Sequence, residues 1–235
     1  MSKRLQEILR KNAEWEKETP YNFCDRWCER CTHEKQMRCR VYQDEFEQKI
    51  TCIAYGKEPD DSEITEQVMR RQFEEVEEKL EEFVEENEIN FDGVDDPEFE
   101  KIRKHIEFVD NNTLDGTAEQ YCKRAHEFLE TTFYNKQKIK SELINDFKTV
   151  SWYHTLLPAK LHRALCGFHE PVNEHEFALY DAVAQFGICK KAIKNSVKTL
   201  QNIAKKDKTL QNAITRLSAL LYNILSRIEL MEDEI

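Results

Sequence analysis

Glycine and proline are scarce in this chain, five of each in 235 residues. The many tight turns of a β-sandwich or a doubly wound α/β fold draw on those residues, so both folds are excluded. No stretch approaches the roughly 20 continuous apolar residues that span a bilayer. The first residues, Met1 to Arg10, carry no apolar core of signal-peptide length. A cytoplasmic setting without membrane contact is therefore expected. Also missing are a glycine-rich phosphate loop, a G-x-S-x-G elbow and an H-E-x-x-H pair. None of the seven histidines follows a glutamate by three positions, as a ferritin-like di-iron bundle requires. Basic residues interleaved with aromatics are lacking too, so nucleic acid is not expected as a partner.

What is present points to helices. The apolar fraction is 40%, enough for a core, while 34% charged residues and a mean hydropathy of -0.76 imply a broadly solvated surface. The expected fold is all-α, an antiparallel helical bundle with a small N-terminal cysteine-rich module. The division expected is 1–56 for the first helix and module and 57–235 for the bundle. Periodicity predicts a helix from Ser2 to Glu18, stopped before Pro20. A loop-rich segment from Tyr21 to Cys52 follows, then a linker from Tyr55 to Ser62 with Asp61 or Ser62 as N-cap. The acidic helix after it fades near Asn87, and a turn spans Asn90 to Pro97. Pro97 opens a helix reaching about Val109, and Asn111 to Thr117 reads as a break. One long helix is expected from Tyr121 to Val150, either kinked near Pro158 or stopped and restarted. Gly167 is expected to cap it, and Asn173 to cap the next. Leu210, Ile214, Leu217, Leu221, Ile224, Ile228 and Met231 form a seam suited to a bundle or coiled coil. It faces its own bundle on the simpler assumption, or a second copy.

The charge is uneven. Of the net -11, the segment Glu58 to Glu100 holds 19 acidic residues against Arg70, Arg71 and Lys79, so the remainder is basic by five. Met69, Phe73, Val76, Leu80 and Phe83 repeat at helical spacing through it. The plain interpretation is a solvated face. The sharper one is a docking surface for a basic protein partner, or for Lys190, Lys191, Lys194 and Lys198 of the same chain.

Five of the eight cysteines fall between residues 24 and 52. Cys24, Cys28, Cys31 and Cys39 make a C-x3-C-x2-C-x7-C cluster, whose main physical use is to hold a thiophilic metal or an iron–sulfur cluster. In a reducing compartment thiols stay free for metal; in a secreted chain they would form a disulfide knot. Four thiolates on a divalent ion leave two negative charges, which Arg26, Arg30, Lys35, Arg38 and Arg40 can offset. Structural zinc, closed by these four cysteines, is the first expectation; a [4Fe–4S] cluster is the alternative. Cys52 or His33 is a possible replacement for one ligand. The C-x3-C-x2-C run is also similar to the radical-SAM signature, but that family's β/α barrel does not fit a helical chain.

A second constellation comprises Cys122 and His126 on one helix and His162 and Cys166 on another. Each pair has i, i+4 spacing, and antiparallel helices in the right register would join them into a metal or metalloenzyme site. Burial of free cysteine competes as the explanation. Arg163 and His169 fall within the loose spacing of certain helical ribonucleases, a pattern short enough to arise by chance.

The run Asn22-Phe-Cys-Asp-Arg-Trp-Cys-Glu-Arg-Cys31, with Trp152-Tyr-His154 and Pro158-Ala-Lys-Leu-His-Arg-Ala-Leu165, resembles an uncharacterised bacterial protein family. That resemblance implies a cysteine cluster continuing into a helical bundle as one unit, in a bacterial cytosol, and it supplies no activity. Here the gap from Cys31 to Cys39 is longer than in that pattern, which leaves the fourth ligand open.

Overall fold

The computed structural model describes residues 1–86, 97–136, 139–170 and 177–235, without the side chains of Gln72, Glu75 and residues 97–99. The described residues are helical, with turns between and no strand. No helix among them is long and apolar enough to cross a membrane.

Helix α1 (Lys3–Glu18) starts on Ser2, whose hydroxyl accepts the Leu5 N–H at 3.0 Å, and stops before Pro20. A short α2 (His33–Arg38) and a longer α3 (Arg40–Ala54) follow. The cysteine segment is therefore less loop-like than its spacing suggests, because its second half is regular helix. α3 ends on Gly56, which takes a left-handed φ of 71°. There the Gly56 N–H reaches the Ile53 carbonyl and the Lys57 N–H reaches that of Cys52, a Schellman closure. α4 (Ser62–Glu86) is capped by the Asp61 carboxylate, which accepts from Glu63 and Ile64.

The expected turn at 90–97 lies mostly outside the described residues, as does the Asn173 cap. α5 (Pro97–Asp110) begins on its proline. The break after it is only Asn111–Asn112, because the Asn112 side chain caps α6 (Thr113–Leu129) through the Leu114 N–H at 2.8 Å. The single helix expected from Tyr121 to Val150 is instead two. α6 loosens into a π-helical turn at Glu130–Tyr134, and α7 (Ser141–Phe168) starts afresh. α7 runs through Pro158 without interruption. Gly167 is not its cap but a point of close approach: a Cβ there would stand 2.6 Å from the Ala178 carbonyl oxygen of α8 (Phe177–Lys206). α9 (Gln211–Asp233) closes the chain.

α6, α7, α8 and α9 form a four-helix core around Tyr121, Leu161, Phe186, Leu200 and Leu221, all fully buried. Ile214, Leu217, Ile224 and Ile228 complete the α9 seam inside this bundle. α1 lies on α8 through Leu5, Ile8, Tyr180 and Val183, and α5 lies on α7.

Candidate metal centre

The cysteine segment is fastened to α7 and α8 by its own motif residues. Trp27 is buried in the main core, stacked on Trp152 at 5.2 Å between centroids and edge-on to Tyr153 at 5.9 Å. Asp25 is the polar hub. Its carboxylate accepts from the Tyr153 hydroxyl at 2.8 Å and pairs with Lys191 at 2.8 Å, while its carbonyl accepts from the Trp152 indole at 2.9 Å. Burial alone would raise the Asp25 pKa, but the Lys191 and Tyr153 hydrogen bonds hold it below the usual carboxylate range. Burial, with the bond to Asp25, pushes the Tyr153 hydroxyl up to about 12. Arg30 lies 3.4 Å over the Trp27 ring and donates to Thr149 at 3.1 Å.

These ties set a cavity of about 360 Å³ between the segment and the bundle, and Cys24, Cys28, Cys31 and Cys39 all line it. The bundle closes it with Tyr153, Lys191 and Asn195. Cys52 is fully buried on α3 and His33 is exposed at the start of α2; neither lines the cavity. All eight cysteines are free thiols. Among the described residues, no three His, Cys, Asp or Glu side chains are grouped as a single metal ion needs.

The cavity is rich in groups that offset negative charge. Arg26, between Cys24 and Cys28, takes a left-handed φ of 55°, a conformation that costs a non-glycine residue energy and concentrates at functional sites. Its backbone N–H is directed at the Cys24 sulfur. Burial is the main force raising the Cys24 and Cys28 thiols; Asp25 and Cys39 add to it at Cys24, and Glu45, Cys24, Cys39 and Cys31 at Cys28. In the free protein these sulfurs therefore keep their protons, and Cys24 Sγ–H points to the Tyr21 carbonyl at 3.7 Å. Lys35 pairs with Glu16 at 2.6 Å, which raises its pKa. Behind Cys24, Lys160 is 9% exposed; burial and then the nearby Arg163 and Arg26 charges lower its pKa. Arg38 lies outside, donating to the Lys17 carbonyl.

The second constellation does not assemble. α6 and α7 are neighbours, but in a register that sets His126 against His154, stacked at 5.8 Å. His162 faces Asp115 at 3.4 Å and Asp110 at 4.0 Å instead. His126 and His162 thus sit at different levels of the bundle. Near Cys166, His105 of α5 meets the Cys166 carbonyl at 2.9 Å, and Cys122 is half-buried on α6. The ribonuclease-like pair also separates by role. Arg163 makes a two-pronged bond to Asp181 at 2.7 Å, while His169 packs its ring against Phe108 and Phe168.

Sequence reasoning missed Asp25, Tyr153, Lys191 and Asn195 as cavity residues. Asp25 sits inside the cysteine motif and was open to notice. Lys191 was hidden in a basic stripe that suggested the acidic helix as its partner; in the fold it reaches Asp25, and Lys190 pairs with Glu232 at 2.5 Å. Compared with protein-family models, curated proteins and solved structures, the chain matches none, so no activity is carried to it from another protein.

Proposed function

We propose that the chain is a thiolate metalloprotein in which Cys24, Cys28, Cys31 and Cys39 hold an iron–sulfur cluster with a redox or sensing role. The observation that carries this reading is that four thiols, brought from three separate turns of chain, line one cavity of about 360 Å³. Structural zinc draws its four ligands into a closed tetrahedron at about 2.3 Å from each sulfur, leaving no space inside. A cavity of about 360 Å³ lined by four cysteines has room for a polynuclear cluster, which cysteine thiolates hold in fours. Arg26, Arg30, Lys35 and Lys191 supply the positive surroundings that such an anionic centre needs. Cys24, Cys28 and Cys31 are half-buried rather than sealed, which supports access for an oxidant. Free thiols of this kind persist in a reducing cytoplasm, the setting this reading takes.

The test is anaerobic purification followed by metal and sulfide analysis and visible absorption. The expected result is stoichiometric iron and acid-labile sulfide with a brown chromophore, lost in Cys24→Ser, Cys28→Ser and Cys31→Ser. One equivalent of zinc without iron would overturn the cluster while keeping the four-thiolate site. Absence of any metal after reconstitution with iron and sulfide would overturn both.

A further inference from the structure

Among the described residues, the apolar stripe of α4 stands about half or more in solvent. Met69, Phe73, Val76, Leu80 and Phe83 follow each other at spacings of four, three, four and three, and they stand 47, 68, 62, 57 and 54% exposed. Alternating spacings of four and three make the seam that one helix offers to another. Exposing five large apolar side chains in one row costs solubility, and such contiguous patches mark interaction sites.

Charge decides what can lie there. Between residues 74 and 86 the helix carries eight glutamates against the single Lys79. A second copy of α4 would bring those glutamates onto their like, which opposes pairing. Two of the α8 lysines are engaged elsewhere, Lys190 with Glu232 and Lys191 with Asp25. α3 packs against α4, yet Phe46, Ile50 and Ile53 on α3 are themselves about half exposed.

We infer that the α4 stripe is a docking surface for a basic amphipathic helix of another protein. That helix would fill the seam with apolar side chains and flank it with lysine or arginine over the glutamate rows. The surface is separate from the cysteine cavity, so the inference stands whether or not a cluster is bound.

The experiment uses the whole 235-residue chain and a labelled synthetic helical peptide with leucine at the seam positions and lysine on both flanks. Fluorescence anisotropy should show saturable binding that weakens as salt rises. The double variant Phe73→Ser, Leu80→Ser alters exposed positions only, and circular dichroism checks that its helix content is unchanged. It should bind the peptide at least about tenfold more weakly, a loss of ~1.4 kcal/mol. A peptide with glutamate flanks should not bind. Equal binding by the double variant would reduce the interaction to unspecific charge attraction and overturn the proposal. So would binding of the glutamate-flanked peptide. A chain that sediments as a dimer, and becomes a monomer in the double variant, would assign the stripe to self-association and overturn it as well.

Discussion

Between Thr113 and Asp233 the chain buries one aliphatic or aromatic layer after another, from Tyr121 and Phe147 to Phe186, Leu200 and Ile228. Among the described residues from 21 to 86, the buried apolar side chains are Trp27, Cys39, Cys52 and Ile64. The first region can hold itself by apolar burial, at about 1.5–3 kcal/mol for each large side chain. The second depends on attachment: Trp27 seated against Trp152, Asp25 bound to Tyr153 and Lys191, Arg30 clamped on Trp27. The difference teaches that the cysteines do not sit in a freestanding knuckle. They sit in a seam, and the bundle forms one wall of the cavity they line. Anything bound there touches both regions at once.

Four changes would break or sharpen this contrast. The largest effect belongs to the bundle. Phe186→Ala should cost about 3–5 kcal/mol and lower the whole unfolding transition in urea, seen equally by circular dichroism and tryptophan fluorescence. A two-step transition in the variant would show that the bundle does not unfold as one unit. Next is Trp27→Ala, expected to cost about 3 kcal/mol of attachment. Hydrogen exchange should speed up in residues 21–54 while α6 to α9 keep their protection. Uniform loss of protection would instead make the cysteine segment part of the bundle's cooperative unit. Gly167→Ala should destabilise the α7–α8 contact by roughly 1–3 kcal/mol, because its Cβ meets the Ala178 carbonyl and backbone must move. An unchanged melting temperature would mean that the two helices separate there at no cost. The smallest effect is expected for Lys190→Gln, which removes a partly exposed ion pair with Glu232. It should cost no more than about 1 kcal/mol, with the cysteine segment unaffected.

Much of this architecture is legible from the residues alone, for reasons specific to each element. The α9 seam is readable because a four–three repeat has one low-energy use, and Ile214, Leu217, Leu221 and Ile228 are all buried. Ser2 and Asp61 announce helix starts because a short acceptor side chain satisfies the first N–H groups. The division of Tyr121 to Val150 into α6 and α7 was not legible. Apolar spacing continues smoothly through the π-helical turn at Glu130–Tyr134, and nothing local marks the change. Gly56 closes α3 at the start of the expected linker, and a glycine after a helical run is a known stop signal. Within the candidate site, the cysteines are readable from spacing, while Asp25, Tyr153, Lys191 and Asn195 become neighbours only through tertiary contacts, Tyr153 meeting Asp25 across 128 residues and Asn195 meeting Tyr153 across 42.

The sequence by itself determined an all-helical chain, an acidic helix with an apolar stripe, and four clustered thiols, because composition and periodicity act within a few turns of backbone. Only the tertiary structure decided which groups share a space. It set the α6–α7 register, which parts His126 from His162 and stacks it on His154. It turned Lys191 toward Asp25 and left the α4 stripe in solvent. Register depends on how whole helices pack against one another, and a shift of two turns keeps every local preference intact while changing every neighbour.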